Sequence, residues 1–365
     1  MSASLSASAS RFGLRHTSLP LMAATALVMT ASIASSARAD SVEDFYKGKT
    51  ITFIVGSGPG GSYDLYARLL ANTMPKYIPG HPNVVVKLAG GVGGGLPIAI
   101  QMHNTALKDG TVIGMTQQTI VVSQVIEPNA KGKYDVTKWN WIGLMAPIRN
   151  MLAVWHTAPA QTLDEAKTKV DVIGATGRTS PTYIVPQVLN EIYGTKFKIV
   201  VGYNGVSDLN LAMERGEIQG RGASWVSVVT QAPQYIKEKK LKPLVVDGLT
   251  KEPGIEDVPL LIDLAKDDRT RQALTLMSSA AEFGRSVFTP PGVPQDRVEA
   301  LRHAFDETMK DPELLADAKK RGIPIEAHTG AELAKTAAKV VAASPEAVAY
   351  AKHLMGVDEK GEGKK

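Results

Sequence analysis

Short apolar runs and longer amphipathic stretches follow one another along the chain. The runs are rich in Val and Ile, which is typical of buried β-strands. The stretches between them carry apolar residues three and four positions apart, as on one face of an α-helix. The predicted strands are residues 51–55, 84–87, 112–115, 170–174, 197–201, 218–221 and 244–246. This order predicts an α/β fold in which helices cover mainly parallel sheets.

A glycine-rich turn separates the first predicted strand from a helix. The segment Gly56-Ser57-Gly58-Pro59-Gly60-Gly61-Ser62 lies between residues 51–55 and an amphipathic stretch that begins after Asp64. Free backbone N–H groups and the positive end of the helix dipole meet at such a turn, so it can bind an anion. The residues expected to contact a ligand here are Ser57, Gly58, Gly60, Gly61 and Ser62.

Two other interpretations of this turn stay open. Gly56, Gly58 and Gly61 match the dinucleotide pattern G-x-G-x-x-G, but the next predicted strand ends near Lys87 and not at an acid. An exported nucleotide-dependent α/β enzyme that uses the loop from Gly56 to Gly61 is therefore the alternative function. A glycine turn that binds nothing is the other possibility.

Polar turns also follow the later strands. Gln117 and Thr119 follow residues 112–115, at the carboxyl end where open α/β sheets bind ligands, although a solvated loop fits equally well. Further on, Ser180 is a predicted N-cap before Pro181, and Pro186 predicts a kink or a later helix start. Arg178 is either a donor to a carboxylate or a solvated side chain. The expected contacts of this half are Arg178, Thr179, Ser180, Tyr203, Asn204, Gly205, Ser207 and Ser224.

Residues 1–39 have the pattern of a secretory signal peptide. Arg11 and Arg15 precede an apolar stretch, and Ala37-Arg38-Ala39 is a cleavage motif, so we expect cleavage after Ala39 and a periplasmic location. Removal of this segment lowers the formal charge from +5 to +2, so no nucleic-acid partner is expected. The chain contains no Cys, which excludes disulfides and thiolate metal sites.

Sequence motifs for catalysis are missing. The His residues have no metal-ligand spacing, and neither a nucleophile elbow nor a P-loop lysine occurs. We therefore expect no enzymatic activity, no cofactor and no metal.

Several segments together resemble the substrate-binding proteins of tripartite tricarboxylate transporters, the TctC or Bug family. Pro59-Gly60-Gly61 and Asp64 match the family's first loop, whereas Gly56-Ser57 replaces its usual Pro and aromatic residue. The later segments that resemble the family are Tyr134-Asp135, Tyr203-Asn204-Gly205, Gly222-Ala223-Ser224-Trp225 and Arg285-Ser286-Val287-Phe288. The resemblance covers most of residues 47–355.

The resemblance implies a type II-like periplasmic binding protein with two lobes, a hinge between them and the ligand in the interlobe cleft. The first lobe would comprise residues 40–146 and 286–356, and the second residues 147–285. The charged residues 357–365 are expected to be disordered. The implied function is an extracytoplasmic receptor, expected to be monomeric, that binds a small carboxylate and delivers it to the subunits of a membrane transporter.

Overall fold

The structure is a computed structural model that describes residues 41–58, 62–89, 95–127, 130, 132–178 and 180–356. A compact unit begins at Val42 and includes every element below. Among the described residues, no helix combines the length and the apolar character needed to cross a membrane.

Strands and helices alternate over most of the chain, as the hydrophobic pattern predicts. The strands are β1 (Thr50–Val55), β2 (Asn83–Leu88), β3 (Val112–Met115), β4 (Asn140–Leu144), β5 (Asn150–Trp155), β6 (Val172–Ala175), β7 (Lys198–Val201), β8 (Gly220–Ser224), β9 (Leu241–Asp247), β10 (Ser286–Thr289) and β11 (His328–Thr329). The helices are α1 (Val42–Tyr46), α2 (Ser62–Thr73), α3 (Leu96–Asn104), α4 (Ile120–Ile126), α5 (Pro181–Tyr193), α6 (Val206–Glu214), α7 (Trp225–Gln231), α8 (Pro233–Lys237), α9 (Asp268–Ser278), α10 (Gln295–Thr308), α11 (Pro312–Lys320), α12 (Gly330–Val341) and α13 (Pro345–Met355).

The strands form two sheets of mixed direction. The first has the order β11-β4-β10-β3-β1-β2, and the second has the order β7-β6-β8-β5-β9. In the first, β1 is parallel to β2 and β3, but β10 is antiparallel to both of its neighbours. In the second, β6 is parallel to β7 and β8, but β5 is antiparallel to both of its neighbours. Four of the six strands in the first sheet and four of the five in the second therefore run in one direction, as predicted for mainly parallel sheets, and the reversed strands are β10, β11 and β5.

The chain passes between the sheets through two crossing segments, residues 145–149 and 284–285. The Met145 N–H donates to the Arg285 carbonyl (3.1 Å), and the Arg285 N–H donates to the Ala146 carbonyl (3.0 Å). A β-carbon on Gly284 would lie 2.5 Å from the Ile148 nitrogen, so the segments pack too closely for any other residue. We call the end of each sheet at these segments its crossing end. Strands β5 and β10 begin at the crossing end. The strands on either side of each of them end there, which explains the antiparallel pairings.

Helices cover both faces of the first sheet. Helices α2, α10 and α11 bury one face, and α3, α4 and α12 bury the other. Trp139 and Trp141 are buried, and Trp139 stacks on Phe288 with ring centroids 4.0 Å apart. These tryptophans therefore pack in the core, as their sequence predicts.

The last helix, α13, packs against helices that flank both sheets. Ala351 and Leu354 share one core with Val188 of α5, Leu274 of α9 and Ile126 of α4. The residue bounds of the two lobes stay a prediction.

Candidate functional site

Three turns of the first sheet meet at Gln117, which follows β3. The Gln117 side-chain amide donates to the Gly56 carbonyl after β1, at 3.5 Å. Gly95, which precedes α3, has a φ of +88°, and a β-carbon there would lie 3.3 Å from the Gln117 nitrogen. The ends of β1 and β3 and the start of α3 therefore form one surface at the crossing end of the sheet.

Gln118 connects this surface to α2 and to a crossing segment. Its backbone N–H donates to the Tyr63 hydroxyl (3.0 Å), and its side chain donates to the Ile148 carbonyl (3.1 Å). Burial raises the pKa of Tyr63 to about 12, so the hydroxyl stays neutral at physiological pH. The turn after β3 is thus held from both sides.

In the second sheet, a cluster of three hydroxyls occupies the turn after β6. Ser180 accepts a hydrogen bond from the Thr182 N–H (3.2 Å), which confirms its predicted role as the N-cap of α5. The Thr182 hydroxyl accepts from the Thr176 N–H (3.0 Å) and lies 2.8 Å from the Ser180 hydroxyl. A β-carbon on Gly222 of β8 would lie 2.9 Å from the Thr182 Cα, so the cluster lies directly against the sheet.

Two other predicted contacts from this half already serve local structure. The Asn204 side chain and backbone N–H both donate to the Asp208 carboxylate, at 3.0 and 3.3 Å. Ser224 caps α7 by accepting from the Ser227 N–H at 3.3 Å. A ligand that approached these two residues would compete with bonds inside the protein.

The two sheets come together at a cavity of about 40 Å³. Thr119, at the start of α4, and Pro181, at the start of α5, both line it. Asp247 also lines it and accepts from the Ser278 hydroxyl (2.7 Å), and burial raises the pKa of Asp247. The cavity has room for a few waters but not for a dicarboxylate.

A charged cluster at the crossing segments was not predicted from the sequence. Arg149 is buried and forms two bonds to the Glu326 carboxylate (2.7 and 2.9 Å) and one to Glu252 (3.5 Å). Burial opposes its charge, but the two glutamates outweigh burial, and the pKa of Arg149 lies above its usual value. A groove of about 480 Å³ between α7 and α11 opens beside this cluster. The only sequence signal was a charged residue before an apolar strand.

Comparison with known proteins gives both a relative in sequence and relatives in structure. No family model matches the chain. A protein of Pseudomonas sp. (strain P51), described as a UPF0065 protein in the tcbD-tcbE intergenic region, is 25% identical over 313 residues, covering 83% of this chain and 85% of that protein. A TctC solute binding protein from Polaromonas has a TM-score of 0.61 at 19% identity, covering 85% of this chain and 99% of that one. MatC from Rhodopseudomonas palustris, with bound malate, has a TM-score of 0.59 at 18% identity, covering 84% and 99%.

This chain has the TctC fold. The resemblance seen in the sequence is thereby confirmed at the level of the fold, and so is the predicted two-lobed α/β fold class. The Polaromonas protein is described as a solute binding protein.

Within the TctC fold, part of the predicted site lies outside the described residues. Gly60, Gly61 and Thr179 belong to that part, as do the signal peptide with its cleavage site and residues 357–365. Of the described residues, Ser57 and Gln117 lie at the crossing end of the first sheet, and Ser180 and Tyr203 lie at that of the second. The structure places Gly205 and Ser62 at helix starts and leaves Gly58 and Ser207 exposed.

Two expectations for the turn after β6 need comment. Arg178 is exposed and donates to the Tyr183 hydroxyl (3.2 Å), and its role as a donor to a ligand carboxylate stays a prediction. Helix α5 begins at Pro181 and contains Pro186, so the suggested later start is wrong. Within the described ranges, no group of three His, Asp or Glu side chains is placed to hold a metal ion.

Proposed function

We propose that this protein is a periplasmic solute receptor that binds a small carboxylate between its two sheets and delivers it to a membrane transporter. The support from relatives is the shared fold with a TctC solute binding protein and with MatC, whose structure contains malate. Malate carries two carboxylates, so small dicarboxylates are the first class to test.

The observation that carries this proposal is the meeting of two helix starts from different sheets. Thr119 precedes α4, Pro181 begins α5, and both line the same cavity. The start of each helix is the positive end of its dipole, so an anion between the sheets would be favoured from both sides. We place the ligand next to this cavity, between Gln117 and the turn that contains Ser180.

The predicted motion follows from this arrangement. A ligand that bonds to both sheets favours the state in which they are close, because only that state makes both sets of bonds. The two crossing segments would act as the hinge, since they are the covalent links between the sheets. A receptor that closes in this way presents its partner transporter with a different shape when it is loaded.

A thermal-shift screen of the exported protein tests the function. Malate, succinate, adipate and citrate would be compared with their uncharged amides. Binding to the native state raises the melting temperature by mass action, so at least one carboxylate should raise it and its amide should not. A screen in which no carboxylate raises the melting temperature would contradict the proposal.

A further inference from the structure

Arg285 lies at the crossing end of the first sheet, one residue before β10. It donates to the carbonyl of Pro147, and Gln118 donates to the carbonyl of the next residue, Ile148. The charge of Arg285 also acts on the Tyr63 hydroxyl, which accepts from the Gln118 N–H. The arginine is therefore close to the turn after β3, where the three turns meet.

The surroundings of Arg285 leave its charge uncompensated. The side chain is 0% exposed; its Nη1 donates to the Pro147 carbonyl (2.6 Å), and its guanidinium lies 4.6 Å from the centre of the Tyr66 ring. Its Nε and Nη2 are buried and have no hydrogen-bond partner among the described residues. Within the same residues, no carboxylate forms an ion pair with Arg285; the charge of Glu252 acts on it, but Glu252 pairs with Arg149.

Such an environment is costly for an arginine. Buried charges are normally paired, because removal from water disfavours the charged form. Burial accordingly lowers the pKa of Arg285. Arg149, in the other crossing segment, pairs with two glutamates, and its pKa is raised. Two unused donors and an unpaired positive charge are the features that an anionic ligand would complete.

We propose that Arg285 is the specificity-determining residue of the binding site and supplies the positive charge that one carboxylate of the ligand neutralises. This inference rests on the proposed function and adds the chemical class of the ligand: a dianion in which the second carboxylate is recognised by a buried arginine beneath Tyr63 and Gln118. The first carboxylate is held by the helix starts. A mono-anion of the same shape leaves the arginine unpaired and binds more weakly.

Titration calorimetry on Arg285→Met, Arg285→Lys and wild type tests the inference, with the best dicarboxylate of the screen and its monoamide as probes. Wild type should prefer the dicarboxylate. Arg285→Met should weaken its binding roughly 10- to 100-fold and abolish that preference. Arg285→Lys, which keeps the charge, should weaken it less than Met does.

The matched control is Arg221→Met. Arg221 is also fully buried, has an Nε without a partner among the described residues, and has a pKa lowered to about 10 by burial, but it lies in β8 near Tyr235. This variant should leave both affinities unchanged. Equal losses in the two Met variants, or an unchanged dicarboxylate preference in Arg285→Met, would overturn the inference. If Arg285→Met does not fold, Arg285→Lys decides. It should bind the dicarboxylate more weakly than wild type and still prefer it to the monoamide; wild-type dicarboxylate affinity, or a preference for the monoamide, would overturn the inference.

The proposed function and the role of Arg285 can be disproved separately. If no carboxylate binds wild type, the proposed function is wrong, and this inference falls with it. If a dicarboxylate binds wild type and Arg285→Met equally well, the receptor function stands and only the role of Arg285 is wrong.

Discussion

The two sides of the proposed binding cleft are built in different ways. Beside the first sheet, a β-carbon on Gly95 at the start of α3 would lie 3.3 Å from the Gln117 nitrogen. Beside the second, a β-carbon on Gly177, in the turn after β6, would meet nothing within 4 Å, and that turn is held by hydroxyls instead. The contact between α3 and the turn after β3 thus depends on close packing of backbone, and the turn after β6 on hydrogen bonds between side chains.

The difference predicts how each side responds to mutation. A packed backbone has no room for added atoms, so substitutions there should damage the fold and the site together. A turn held by side-chain hydrogen bonds can lose one bond and keep its shape, so substitutions there should separate binding from stability. The predictions below run from the largest expected effect to the smallest.

Gly95→Val should have the largest effect. Its φ of +88° lies in the region that favours glycine, and a β-branched residue there is strained by about 2–3 kcal/mol. Carboxylate affinity should also fall more than tenfold, because Gln117 is displaced. Urea unfolding and calorimetry would measure both quantities. Gly177→Val is the control and should change the free energy of unfolding little. If the two variants lost the same free energy of unfolding, the proposed difference between the two sides would be wrong.

Tyr63→Phe should reduce the loss of stability at alkaline pH. The folded pKa of Tyr63 is raised from its ordinary value of 10 to about 12, so its contribution is complete below pH 10 and is lost as pH rises through 12. Between pH 10 and pH 12, the free energy of unfolding of wild type should fall by roughly 2 kcal/mol more than that of the Phe variant. Urea unfolding at pH 9, 10, 11 and 12 would measure the difference. Parallel curves for the two proteins would show that Tyr63 is not buried as described.

Ser180→Asp should weaken carboxylate binding at least about tenfold while Ser180→Asn changes it less. Both residues are good N-caps, so α5 is retained in each and only the charge differs. Ser344, which also precedes a proline and caps α13, provides the control pair Ser344→Asp and Ser344→Asn. Calorimetry on the four variants would decide. Equal affinities of Ser180→Asp and Ser180→Asn would exclude this turn from the ligand site.

Thr182→Val should have the smallest effect, on stability only. The change keeps the shape of the side chain but leaves the Thr176 N–H without its acceptor, which costs about 1 kcal/mol. Urea unfolding would measure it, with wild-type carboxylate affinity as the second readout. A tenfold loss of affinity would mean instead that Thr182 contacts the ligand.

Local signals in the sequence predicted most elements correctly. Strand β3 has the bounds that its apolar run predicts, and Ser180 caps α5 as expected. The spacing of Thr329 and Glu332 predicts a capping box, and this box begins α12. In each case the residues that determine the structure are within a few positions of one another.

Contacts between distant residues were not predictable in this way. The antiparallel entry of β10 depends on its pairing with β4, and Arg149 finds Glu326 177 residues later in the chain. Arg285 stood between Gly284 and an apolar run, where nothing in the sequence indicated that its charge would be buried without a partner. Such features depend on the tertiary fold, which a single sequence does not specify by pattern.

The central claim is that one carboxylate ligand bonds to both sheets and draws them together. Small-angle X-ray scattering of the exported protein, with and without a saturating concentration of the carboxylate found in the screen, tests it most directly. The account predicts a smaller radius of gyration with ligand, and no change with the matched amide. Tight carboxylate binding with an unchanged radius of gyration would contradict the account, because the ligand would then bind to one sheet alone.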